Sequence, residues 1–98
     1  MYQVREGIIL RDIAGIYFLI DIHKKNCYDL QKIDTVNEIG KEVFGIIMNQ
    51  KNITLDEIID KLTAKIINYT PDMREKISND ISKFVEQMVD KGYIIKMN

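Results

Sequence analysis

The apolar period changes once along this 98-residue chain, near Asn37, and that change constrains the fold more than any other feature. Before it, apolar residues fall in short β-branched and aromatic runs; after it, they recur every three or four positions. A two-residue period lines one face of a strand and a 3.6-residue period one face of a helix. A sheet-forming part therefore precedes a helical part, which predicts an α+β fold with a small sheet packed on helices.

The runs Ile8-Ile9-Leu10-Arg11-Asp12 and Ile16 to Ile22 read as two strands, and Ala14-Gly15 between them supplies the turn of a hairpin. In the second run Ile16, Phe18, Ile20 and Ile22 share one face and Tyr17, Leu19 and Asp21 the other; the first face is expected to pack on the helices. The chain is polar from His23 to Lys32. A third, short strand follows at Ile33-Asp34-Thr35-Val36, completing a three-stranded antiparallel sheet with this strand at an edge.

Three start signals divide the rest into helices. Asn37 can cap a helix from Glu38 to about Met48, with Ile39, Val43, Phe44 and Ile47 at helical spacing; Thr35 with Glu38 is a competing capping box. Thr54 with Glu57 is a cleaner box, opening a helix whose apolar face is Leu55, Ile58, Ile59, Leu62 and Ile66. Thr70-Pro71-Asp72 opens the last helix, which runs through Lys91 and stops at Gly92. Tyr93-Ile94-Ile95 can add a strand. The whole, residues 1–98, reads as a single domain of winged-helix-like layout.

Composition excludes several function classes. Cys27 is the only cysteine and His23 the only histidine, too few for a disulfide or a closed metal site, so no metal or organic cofactor is expected. The two stand four residues apart in a polar stretch and read as loop residues, not as a nucleophile and its base. Scattered glycines form no phosphate-binding loop. The longest apolar run, Ile16 to Ile20, is far below the roughly 18 residues of a membrane span, and no secretory signal is visible, so the expected location is cytoplasmic. With 14 basic and 15 acidic residues the chain has no surplus of cations for nucleic acid.

The last helix is the element a winged-helix regulator would offer to DNA. From Asp72 to Lys91 it carries four cations against five carboxylates, the wrong sign for neutralising phosphates. Its apolar residues Met73, Ile77, Ile81, Phe84, Val85, Met88 and Val89 spread over roughly 160°, wider than the stripe of about 100° that one packing contact requires. From periodicity alone the favoured reading is that a small domain uses the whole broad stripe as core; the alternative is that a margin with Val85 and Val89 is left over after Ile77, Ile81, Phe84 and Met88 meet it. The edge strand is the second unusual element: it is short and carries Asp34, yet has no proline, so its free N–H and C=O groups can template an added strand.

These elements carry a family resemblance. Val36-Asn37 before the first helix, Gly40 in its first turn, the aromatic Phe44, then Asp80-Ile81, Phe84-Val85 and Gly92-Tyr93 resemble the motifs of the PqqD family, over about Val4 to Ile95. The resemblance implies a three-stranded sheet followed by three helices, and a recognition element for the leader of a ribosomally made precursor peptide. It implies that the leader lies along Lys32, Ile33, Asp34, Thr35 and Val36 as an added strand, walled by the last helix at Ile77, Ile81, Phe84 and Val85. The implied role is non-catalytic, in natural-product biosynthesis, beside a radical S-adenosylmethionine or other maturation enzyme. A winged-helix DNA-binding regulator is the alternative, and an enzyme the third class.

Overall fold

The computed structural model describes residues 1–24 and 33–97, with strands β1 (Tyr2–Val4), β2 (Ile8–Ile13), β3 (Ile16–Asp21) and β4 (Asp34–Val36), helices α1 (Glu38–Asn49) and α2 (Leu55–Thr63), a 3-10 turn (Pro71–Met73), helix α3 (Arg74–Asp90) and strand β5 (Ile94–Lys96). The hairpin forms where the β-branched runs predict it. Ala14 and Gly15 take positive φ values of 54° and 81°, the combination whose twist matches that of the flanking strands. The Asp12 carboxylate accepts the Gly15 N–H at 2.9 Å and fixes the turn. Strand order is β2-β3-β4, all antiparallel, with β4 at an edge.

The N-terminal strand is a finding beyond the sequence reading. β1 pairs with β5 in a separate two-stranded sheet, and Tyr2 also bridges to Ile53, so the two ends of the chain close over the helices. Three residues with mixed polarity carry no period long enough to read. They become a strand only because β5 supplies a partner.

The sheet turns the other face to the helices than the one expected. Leu19 is buried in the main core, with Leu10 and Val36 packed against it, and the Tyr17 ring carries the Lys41 ammonium of α1 at 5.2 Å. Phe18 and Ile20 are buried outside that cluster, on the opposite face, while Ile16 and Ile22 are about half exposed. Both faces of β3 are apolar, so the pattern alone does not say which is inside. The register with β4 decides it, because Val36 opposes Tyr17 and leads directly into α1.

Helix starts follow the capping signals. Asn37 accepts the Gly40 N–H at 2.8 Å, settling the first boundary in its favour over Thr35. Thr54 and Glu57 form a complete reciprocal box. α2 ends at Thr63, leaving Ile66 outside it. Thr70 makes no capping bond: Pro71 to Met73 form a 3-10 turn before α3 begins at Arg74. Gly92, with φ +84°, ends α3 in the conformation glycine adopts without penalty.

The core joins all three helices through Phe44, Ile47, Ile58, Leu62, Ile81, Val85 and Met88. Val85 is 1% exposed and belongs to this core, which decides for the core reading of that side of the stripe. Val89, Ile77 and Phe84 are the partly buried members of the stripe. Among the described residues no helix is long and apolar enough to cross a membrane.

Candidate functional site

Hydrogen-bond alternation determines which groups β4 offers at its free side. The Ile22 N–H donates to the Gly7 carbonyl at 2.9 Å, so Gly7 and Ile22 face each other as a hydrogen-bonded pair. Such pairs alternate along antiparallel strands. Ile20 and Phe18 therefore bond to β2, and Leu19 and Tyr17 turn their amides toward Asp34 and Val36. Thr35, between those two, directs its N–H and C=O away from β3. Its side chain is exposed as well, and among the described residues no strand pairs with this edge.

At the end of β4 the chain enters α1 beside α3, and a cavity of about 310 Å³ lies between them. Buried Gly40, Val43 and Ile81 form its inner lining, Ile39 and Phe84 its sides, and exposed Asn37 and Asp80 its mouth. Space at Gly40 is tight. A Cβ at this position would come within 3.0 Å of the Val36 Cβ and 3.1 Å of the Phe84 ring. Phe84 in turn meets Phe44 edge to face, with centroids 6.1 Å apart. The cavity thus has an apolar interior and one charged group at its rim, Asp80, paired with Lys76 at 3.6 Å.

The start of β4 is closed by polar contacts. The Asp34 carboxylate accepts hydrogen bonds from the Tyr93 hydroxyl at 2.6 Å and from Lys91 at 3.2 Å, which ties the edge strand to the end of α3. The Tyr93 bond, aided by Lys91, holds the Asp34 carboxyl below its ordinary pKa against the opposing effect of burial. Burial first and the Asp34 bond second push the Tyr93 phenol up to about 12.

Of the residues singled out from sequence, Val36, Ile81 and Phe84 converge around Gly40. Ile33 and Asp34 are half-buried and Thr35 is exposed along the edge. Ile77 is half-buried and does not line the cavity; Val85 is in the core and cannot meet a ligand without unfolding around it. Lys32 lies outside the described residues, as does Cys27. His23 is exposed in the turn after β3. Sequence reasoning missed Ile39 and Asp80 as lining groups. Ile39 belongs to the apolar pattern of α1 yet is 57% exposed, a combination that helical spacing alone does not reveal.

The family profile described as "Coenzyme PQQ synthesis protein D (PqqD)" matches residues 17–94, from the start of β3 into β5. The chain belongs to the PqqD family. A solved structure of similar fold is described as TbiB1 in complex with the TbiA(beta) leader peptide: TM-score 0.67, 11% sequence identity, 98% of each chain covered. No curated protein sequence matches the chain. The PqqD-type motifs fall at the site: Val36-Asn37 at the strand-to-helix junction, Gly40 against Phe84, Asp80-Ile81 at the cavity, and Gly92-Tyr93 at the Asp34 contact.

Proposed function

We propose that this protein is a non-catalytic module that captures the leader of a ribosomally synthesised precursor peptide as a fourth strand on β4 and presents it to a modifying enzyme. The observation that carries this reading is the outward-facing Thr35 amide beside an apolar cavity: backbone groups to pair with any extended peptide, and a recess to select a side chain. Membership of the PqqD family and a fold similar to that of a leader-peptide complex support it. The added strand follows Ile33, Asp34, Thr35 and Val36, and Phe84 and Ile81 receive an apolar side chain from the peptide.

Binding of this kind promotes chemistry without performing it. A leader held here keeps the core peptide near the active site of a partner, a radical S-adenosylmethionine or other maturation enzyme, and turns an encounter between two molecules into a nearly intramolecular one. The test is titration of isotope-labelled protein with the precursor encoded nearest its gene, following amide shifts. Shifts at Thr35, Gly40 and Phe84 are expected. Shifts confined to the β2–β3 turn or to α2 would refute the assignment.

A further inference from the structure

Two carboxylates at the same end of the three-stranded sheet reach a single turn of the helical part. Asp34, first in β4, is bonded by the Tyr93 hydroxyl and Lys91. Asp21, last in β3 and buried, is bonded at 2.7 Å by the Arg5 guanidinium, whose Nε donates to the Gly92 carbonyl at 2.6 Å. The Arg5 N–H donates to the Tyr93 carbonyl at 3.0 Å, and the Tyr93 N–H to the Met88 carbonyl at 2.9 Å. Gly92-Tyr93 is therefore a common anchor for both acidic strand ends and for the last turn of α3.

We propose that Asp34 and Asp21 are positioning residues for peptide capture: through Tyr93, Lys91 and Arg5 they fix the angle between the sheet and α3, and hence the width of the cleft that a peptide strand must enter. This rests on the peptide-binding reading above. The physical argument is one of constraint. Among the described residues β4 has three residues and bonds to β3 through the Asp34 and Val36 pairs, a short ladder that resists pivoting weakly. At its far end it approaches α3 through Gly40 of α1, which lies between the Val36 side chain and the Phe84 ring; apolar packing of this kind resists closure but not sliding. Directional, charge-assisted bonds at the near end remove that freedom. Their place at the end opposite the cavity makes them a hinge pin: a small rotation there becomes a larger displacement at the cavity mouth. An added strand must match both the Thr35 amide and the cavity, so its affinity depends on the separation of the two walls.

The test separates positioning from stability. Spin labels on Thr35→Cys and Lys83→Cys, in the full chain with Cys27→Ser, report the distance from β4 to α3. The unsubstituted network should give one narrow distribution, and Tyr93→Phe should broaden it at least about twofold while heat unfolding remains a single cooperative transition. The peptide probe is a twelve-residue sequence selected on the unlabelled protein from a displayed random library. Tyr93→Phe and, on the exposed side, Lys91→Met should each weaken it about threefold to tenfold, the range for one lost hydrogen bond of ordinary net strength. Lys91→Met keeps the test valid if the Tyr93 variant does not fold. Unchanged distance widths, or unchanged peptide affinity in both variants, would overturn the proposal while leaving the peptide reading standing. Failure of the unsubstituted protein to retain any peptide would instead sink that reading, and with it this one.

Discussion

On one side of the cleft a three-residue strand offers backbone groups at a free edge; on the other a seventeen-residue helix offers side chains already committed to the core. Among the described residues β4 is held by hydrogen-bonded pairs with β3 at Asp34 and Val36 and by the side-chain bonds to Asp34, and its residues are half-buried or exposed. α3 is held by Ile81, Val85 and Met88, each at most 4% exposed. The strand wall can therefore change its sequence without loss of fold, since pairing uses the main chain. The helix wall can present to a ligand only what the core leaves over, which at the cavity is Phe84, the inner surface of Ile81 and Asp80 at the rim. Under the proposed peptide capture, generic affinity and side-chain selection fall to opposite walls.

That division can be broken most severely at Val85. Val85→Asp should cost more than about 4 kcal/mol and unfold the protein, because it buries an unpaired charge among Phe44-side core residues. Urea denaturation measures it. A stable variant that had merely lost peptide binding would show that Val85 faces the cleft after all.

Thr35→Pro is the matching attack on the strand wall. It deletes an N–H that points away from β3, so stability should fall by less than about 1 kcal/mol while peptide binding falls about tenfold or more. Thr35→Ala, which keeps the amide, should leave both nearly unchanged. Calorimetric titration with the peptide distinguishes the two.

The junction between the walls is sharpened by Gly40→Ala. The added methyl meets Val36 and Phe84 at 3.0 to 3.1 Å, so a destabilisation of about 1 kcal/mol is expected although alanine is the better helix former. In a Phe84→Ala background one of the two obstacles is gone and the cost should shrink. A double-mutant cycle tests this coupling; additive effects would mean that the close approach is not felt.

The smallest effect concerns the Asp34–Tyr93 bond, where the carboxylate is still 39% exposed. Because the bond lowers the Asp34 pKa below 3.8, its contribution is fully present above that value and is lost as pH falls through the lower folded one. The Tyr93 phenol, raised to about 12, contributes stability that is present below pH 10 and lost as pH rises toward 12. The difference in unfolding free energy between the wild-type protein and Tyr93→Phe should be flat between these limbs and shrink at both. A difference independent of pH would show that the hydroxyl acts by packing alone.

Local signals read from sequence held where the chain decides structure over a few residues. The Asn37 cap, the Thr54–Glu57 box, the Ala14-Gly15 turn and the Gly92 stop all stand where the residues place them, because each is a bond or a dihedral preference within one turn. The same locality explains the misses. Thr70-Pro71-Asp72 gave a start signal, but the first turn tightened to a 3-10 form that leaves Thr70 without a capping bond. Val85 and Phe84 are neighbours on one broad stripe, and no period tells which of them the core takes.

What the sequence by itself determined is the order of elements from the hairpin onward, the short strand before the first helix and the motifs that place the chain in its family, since these depend on periods and caps within single segments. Only the tertiary structure decided which face of β3 is inward, that β1 exists, that Thr35 is the residue with outward amides, and that Asp34 meets Tyr93 fifty-nine residues away. These follow from register and from packing between segments. Register is fixed by partners far along the chain, and a pattern read along one strand carries no record of them.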